Sequence, residues 1–288
     1  MAAAVALVGV VSAPRAAAQD RATVEAERRE YAEWLRTAPV SPLRAVTVRP
    51  IGPGLTLGPG SADVPLAGVP DQKIKEQDGR VMLVEGDQTV AVARGRPHQL
   101  GAWRLVVSGP PGRATLAVFS AAARAGAPPD YFPYARELAF PVRLLRSEAA
   151  PGTPAGPAAP PERLLAPDGV EVEATEAGRV EFTLGGAVRT LRVMRLPGAT
   201  EDESELEIYF RDATAGYGSY PAGRFVSLVP QPGGGYLLDF NRARNPFCAY
   251  NTVYPCPAPW RGNSLPVPIR AGERYHAEPV PPRRPPPD

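Results

Sequence analysis

Residues 180–194 read VEFTLGGAVRTLRVM, and this stretch decides the class of the chain. Val180, Phe182 and Leu184 alternate with polar residues, Gly185-Gly186 supplies two positions tolerant of positive φ, and an extended run from Val188 to Met194 leads away again. Period-two alternation broken by a two-glycine turn is the signature of an antiparallel hairpin. The same grammar continues outward. Downstream, Leu206, Ile208 and Phe210 alternate, and so do Tyr236, Leu238 and Phe240 after the Gly233-Gly234-Gly235 turn. Upstream, residues 170–174 and 139–145 read as strands, preceded by short extended runs at 55–57, 64–66, 80–84, 89–93, 103–107 and 115–119. Gly109-x-x-Gly112-Arg113 reads as a hairpin turn between the last two.

The composition agrees. Proline contributes 37 of 288 residues, well above a usual share of about 5%, and at that density it breaks helices and interrupts central strands. The fold class expected is all-β, with two β-sandwich or barrel-like units preceded by a short amphipathic N-terminal helix. That helix is read over residues 21–36, where Val24, Arg28, Tyr31 and Leu35 fall on one stripe with Trp34 beside it, and Pro39 and Pro42 end it. It is expected to lie on the surface of the β structure or across its base.

The order along the chain is then residues 1–18 as a signal peptide, 19–42 the N-terminal helix, 43–127 a first sandwich, 128–276 a C-terminal β domain, and 277–288 a proline-rich tail too polar to order itself. The signal peptide rests on the apolar run from Ala2 to Val11 and the Ala16-Ala17-Ala18 cleavage site; the absence of positive charge before Arg15 keeps a cytoplasmic protein with a floppy tail as the alternative. Secretion or a periplasmic location follows if the peptide is cut, with no transmembrane segment afterwards. Residues 149–161, rich in Pro, Ala and Gly, read as a flexible insertion within the C-terminal domain, or as a linker. With 32 Lys+Arg against 30 Asp+Glu the net charge is +2, which provides no field for nucleic acid.

Special residues concentrate in three runs: FRDATAGYGSYPAGRF (210–225), LLDFNRARNPFCAY (237–250) and CPAPWRGNSLPVPIRAGE (256–273). The two cysteines of the chain, Cys248 and Cys256, read as a disulfide in an exported protein; free structural thiols or a catalytic or metal-bound thiol are the alternatives. His98 and His276, the only histidines, are far from the pair in sequence, so no metal site is expected. Strand alternation would put Asp239 and Asn241 on the face opposite Leu238 and Phe240, where Arg224 or the Asn245-Pro246 turn could satisfy them. We expect Arg224 to pair with Asp239 and so tie residues 210–224 to the cysteine loop. Either this is a structural polar network, or Asp212, Tyr220, Arg224, Asp239, Asn241 and Asn245 form a pocket for a small polar or anionic ligand. An acid/base role for Asp212 and Asp239 is permitted by residue type. No G-x-S-x-G, H-E-x-x-H, Walker loop or dinucleotide fingerprint occurs, and no cofactor is expected.

Phe210-x-Asp212-x-Thr214-x-Gly216, Tyr220-x-x-Gly223-Arg224-Phe225, Asp239-Phe240-Asn241-x-Ala243-x-Asn245-Pro246-x-Cys248-Ala249-Tyr250, Cys256-Pro257, Asn263-x-Leu265-Pro266-Val267 and Ala271-Gly272-Glu273 together resemble the bacterial domain-of-unknown-function family 1684. The resemblance spans about residues 24–275, weakly in the first half and strongly in the second. It implies an envelope-located protein with no assigned activity and hence no catalytic residues to carry over. Phe247 stands where the family usually has a second proline. Gly54, Gly58, the run Ser61-Ala62-Asp63-Val64-Pro65-Leu66 and Gly101 are similar to a degenerate forkhead-associated domain, without its phosphothreonine-reading residues, which implies a scaffold. The function expected is therefore that of an exported, non-catalytic binding or interaction protein, the alternative being an enzyme of unlisted type acting on a small polar or anionic substrate at the same site.

Overall fold

The computed structural model describes residues 21–122, 129–146, 160–197 and 205–276. The expected signal peptide over residues 1–18, nearly all of the expected 149–161 insertion and the expected tail fall outside the described residues. One helix, α1 (Arg21–Thr37), leads into β1 (Ala45–Pro50), β2 (Leu55–Gly58), β3 (Val64–Pro65), β4 (Gln72–Gln77), β5 (Arg80–Glu85), β6 (Gln88–Val92), β7 (His98–Leu100), β8 (Trp103–Ser108) and β9 (Thr115–Ser120). These strands make a five-stranded sheet, ordered β3-β2-β4-β5-β6, and a four-stranded sheet, ordered β1-β9-β8-β7. Leu57, Leu66, Ile74 and Val81 of the first meet Leu105, Val107, Leu116 and Val118 of the second in one buried cluster. Each sheet has one apolar face, and burying both faces against each other is the cheapest way to remove them from water.

The remaining strands are β10 (Ala139–Val142), β11 (Glu162–Leu165), β12 (Glu171–Leu184), β13 (Ala187–Leu196), β14 (Glu205–Phe210), β15 (Arg224–Pro230) and β16 (Tyr236–Asp239). They form a seven-stranded sheet in the order β10-β16-β15-β14-β13-β12-β11, antiparallel throughout. The expected hairpin is present, with Leu184 opposite Ala187 across Gly185-Gly186. The sheet curls towards closure because Leu145, just beyond β10, bridges Arg179 of β12. Closure needs a residue without a side chain at the seam: a Cβ on Gly178, whose φ is 143°, would lie 2.4 Å from the Leu145 carbonyl oxygen. The register of β12 shifts between Glu176 and Gly178, a bulge that bends the strand there. Val180, Phe182, Leu191, Val193, Ile208, Phe210, Val226 and Leu238 fill the barrel-like interior. Phe182 and Phe210 pack on Phe240 with ring centroids 5.7 and 5.0 Å apart. On the opposite face Met194, Tyr209, Phe225 and Trp260 form a second cluster. The chain is thus all-β around two units, with one N-terminal helix.

One local expectation is corrected. β16 stops at Asp239, and Phe240–Arg242 is a 3-10 turn, so Asp239 and Asn241 are not set by strand alternation. The cause is the Asp239 side chain, which accepts the Asn241 backbone N–H and caps the turn in place of a further ladder bond.

Candidate functional site

The loop from β14 to β15 carries Asp212 near its start and leads to Arg224, the first residue of β15, which pairs with Phe210 in the ladder. Gly223 (φ 108°) brings the chain back within reach, since a Cβ there would sit 2.5 Å from the Phe210 carbonyl oxygen. Arg224 is fully buried. Its Nη2 donates to Asp212 Oδ2 at 2.8 Å and to the Ile269 carbonyl at 2.9 Å, and its Nη1 donates to the carbonyls of Ala271 and Glu273. Asp212 Oδ1 takes the N–H and hydroxyl of Thr214 and the N–H of Ile269. Burial pushes the Arg224 pKa down and the adjacent Asp212 opposes the shift. Arg224 therefore pairs with Asp212, not Asp239: it lashes residues 269–273 to the loop at the barrel mouth. The expected link to Asp239 fails because the arginine's Nη atoms are used by closer acceptors.

Cys248 and Cys256 form a disulfide. The Tyr220 hydroxyl rests against both sulfurs, at 3.3 and 3.2 Å, and its ring packs edge-on against Tyr275. The disulfide loop is tied down on three sides. Asn251 Nδ2 donates to the carbonyls of Pro42 and Ala45 beside β1, Phe247 packs against Trp34 of α1, and the Tyr250 hydroxyl donates to Glu273 Oε1. Glu273 Oε2 accepts the Asn245 N–H at 2.8 Å, while Asn245 Nδ2 donates to the Arg274 carbonyl. Burial lifts the Glu273 carboxyl to about 7, against the bonds from Tyr250 and Asn245 that favour its charged form.

Beside this network α1 and the 241–244 segment form a small, solvent-open cleft. It is lined by Glu27, Arg28 and Tyr31 from the helix stripe, by Tyr131, and by Arg242 and Arg244. Arg28 donates through Nη2 to the Asn241 carbonyl at 2.8 Å and lies 4.5 Å from the centre of the Tyr131 ring. Arg244 is exposed and stacks over Tyr31 at 4.6 Å. Arg242 Nη2 is paired with Glu27, and its Nε is 3.7 Å from Asp239 Oδ2. Three buried polar atoms here have no hydrogen-bond partner: Arg28 Nε, Arg242 Nε and Asp239 Oδ2. Asn241 is satisfied in a different way, exchanging both side-chain amide groups with the backbone of Ala135 and giving a further bond to Asp239 Oδ1. Burial raises the pKa of Tyr31 and of Tyr131 above the usual phenol range, so both remain donors.

Of the residues singled out in the sequence, the structure brings Asn241 to this cleft, while Asp239 caps the turn that carries it. It places Asp212 and Arg224 in the buried clamp, Asn245 on Glu273, and Tyr220 on the disulfide. Sequence reasoning missed Arg242 and Arg244 and gave Glu273 no role; the one available signal was the stripe of Arg28 and Tyr31 on an otherwise ordinary helix. Among the described residues no group of three or more His, Cys, Asp or Glu could hold a metal ion, and no helix is long and apolar enough to cross a membrane.

No curated protein matches the chain. An uncharacterized protein of Haloarcula marismortui, solved in solution by NMR, is 29% identical over 53% of this chain and 78% of its own, with a TM-score of 0.40. A family model matches residues 130–274 and leaves the N-terminal sheets outside it, so the expected forkhead-associated resemblance of those sheets has no support in it. That match takes in the barrel, the Arg224 clamp and the 241–244 side of the cleft, and the chain belongs to the family described as "Protein of unknown function (DUF1684)".

Proposed function

We propose that this protein is an exported, non-catalytic binding protein that takes a small anionic ligand in the cleft between α1 and residues 241–244. The observation that carries the reading is the convergence of Arg28, Arg242 and Arg244 against a single lining carboxylate, Glu27, with Arg28 Nε buried and without an acceptor and Arg242 Nε no closer than 3.7 Å to Asp239 Oδ2. A buried donor left unpaired costs about 1–3 kcal/mol, and a ligand oxygen removes that cost. Arginine also suits the task, because its planar fork matches carboxylate and phosphate oxygens. The cleft is small and open to solvent, which limits the reading to a compact oxyanion seated at its mouth. On this reading the sandwich over residues 43–127 is a scaffold, and residues 1–18 are removed on export.

The enzyme reading at the same site has one observation in its favour, the buried Glu273 poised near neutrality beside Tyr250. Thermal shift of the purified chain against a panel of compact anions, followed by product analysis on every hit, separates the two. A binder is stabilised in proportion to ligand concentration and leaves the ligand unchanged; no stabilisation by any anion refutes the proposal. Mass spectrometry of the native protein addresses export, with Gln19 expected as the first residue and a retained Met1 in the cytoplasmic fraction contradicting it.

A further inference from the structure

We infer that the Cys248–Cys256 disulfide is a thiol–disulfide exchange site for a dithiol reductant, attacked at Cys256, with Cys248 as the departing sulfur and the Tyr220 hydroxyl as the group that receives it. The two cysteines sit in different surroundings. Cys256 is exposed between Pro255 and Pro257. Cys248 is buried in an apolar cluster with Ala45, Ala117, Phe119 and Tyr254, where the first sandwich meets the C-terminal unit. An entering thiolate therefore reaches Cys256 and not Cys248, and the course of exchange depends on which sulfur is open to attack. The Tyr220 hydroxyl lies 3.3 Å from Cys248 Sγ and 3.2 Å from Cys256 Sγ, close enough to donate to either. Burial raises the Tyr220 pKa, so the O–H keeps its proton in the range where thiols react.

The loop between the cysteines is held by more than the bond. Asn251 Nδ2 donates to the Pro42 and Ala45 carbonyls, Tyr254 packs in the same cluster as Cys248, and the Tyr250 hydroxyl donates to Glu273. Opening the disulfide thus leaves the loop attached, and a Cys248 thiol suits its apolar surroundings, since a free cysteine packs as a small hydrophobe. In the first step one thiolate of the reductant attacks Cys256 Sγ; a sulfur–sulfur bond forms between them, the Cys248–Cys256 bond breaks, and its electron pair stays on Cys248 Sγ. The Tyr220 O–H donates a hydrogen bond to this thiolate, which then takes a proton from water. The second thiolate of the reductant attacks its own sulfur in the mixed disulfide and frees Cys256, which is protonated in turn. The reductant ends as a disulfide and the protein as two thiols, two electrons and two protons having passed between them.

The test follows reduction of the oxidised full chain by dithiothreitol at neutral pH, folded and in concentrated urea, with alkylation and mass spectrometry counting the free thiols. A bond that opens only through unfolding is slowed by the folding equilibrium, about a thousandfold or more for a domain of ordinary stability. The folded chain is expected to react within about a hundredfold of the urea rate, and a greater slowing overturns the inference. Cysteamine, a monothiol, locates the attack: after trapping with iodoacetamide the mixed disulfide is expected on Cys256 with Cys248 alkylated, and an equal or reversed distribution overturns the assignment. Tyr220→Phe removes the hydroxyl and keeps the ring that packs against Tyr275. It is expected to slow reduction of the folded chain at least about fivefold and to leave the urea rate unchanged, whereas a variant that merely loosens the fold is reduced faster. An unchanged or faster rate in the folded variant removes Tyr220 from the step. The rate and the trapping measurement are both made on the wild-type chain, so they decide the exchange site even where Tyr220→Phe does not fold.

Discussion

Replacing Arg224 with alanine tests how the C-terminal unit is held together. The guanidinium is fully buried and serves four acceptors: Asp212 Oδ2 and the carbonyls of Ile269, Ala271 and Glu273. Asp212 is itself buried, and among the described residues its Oδ2 has no second donor. Removing the arginine leaves a charge uncompensated in the interior, a change that costs about 3–5 kcal/mol. A domain of ordinary stability has about 5–15 kcal/mol to lose. The expected result is a large fall in the urea midpoint of Arg224→Ala, followed by tryptophan fluorescence, since Trp260 lies in the cluster beneath the same sheet. Asp212→Ala should fall in the same range, and the double variant should lose less than the sum of the two by at least about 1 kcal/mol, because both changes break one pair. Arg224→Ala combined with Asp239→Ala should be additive to within about 0.5 kcal/mol, since the two residues share no hydrogen-bond partner. A loss of less than about 1 kcal/mol for Arg224→Ala, typical of an exposed pair, would refute the clamp, as would additivity with Asp212→Ala.

The remaining predictions concern other parts of the molecule. Glu207, buried on β14 with Ser227 as hydrogen-bond donor, has its carboxyl pushed by burial from 4.5 up to about 8. The folded state therefore holds a proton that the unfolded state has lost, and this contribution to stability is full below about pH 4.5 and disappears as pH rises through 8, by about 1.4 kcal/mol per unit. Glu207→Gln should flatten that fall in chemical-denaturation series run from pH 4 to 9, and an unchanged slope would contradict it. Reduction of the Cys248–Cys256 disulfide, or Cys256→Ser, should cost about 2.5 kcal/mol on the loop-entropy estimate, read as a lowered thermal midpoint. Gly272 has φ 74°, and a Cβ there would lie 2.6 Å from the Phe240 carbonyl oxygen and 2.7 Å from Ala243, so Gly272→Ala should lose about 2–4 kcal/mol in the same assay.

Much of the fold was legible wherever one face of a strand is apolar and the other is polar. The hairpin across Gly185-Gly186 and the strands β5, β8 and β9 follow from alternation and turn chemistry. β4, whose sequence is QKIKEQ, was not legible, because only Ile74 supplies an apolar inward residue. β15, RFVSLVP, was missed for the opposite reason: Phe225 packs on one face of the sheet while Val226 and Leu228 pack on the other, which erases the alternation. Candidate residues could be recognised by type but not paired. Arg224 finds Asp212 across a loop, and the cleft joins Arg28 to Asn241 across 213 positions of sequence, a distance no local pattern spans. The helix stripe of Arg28 and Tyr31 signalled a buried face without saying that the face was cationic and incompletely filled.

The claim that the cleft binds a compact anion is tested most directly by NMR titration of the full chain with inorganic phosphate, following arginine Nε–H and backbone amide signals. The account predicts saturable shifts concentrated at the Nε–H groups of Arg28 and Arg242 and at the amides of Tyr31, Tyr131, Asn241 and Arg244, with Arg224 Nε–H unmoved. Shifts that fail to saturate, or that spread over surface arginines while the Arg28 and Arg242 signals stay in place, would contradict it.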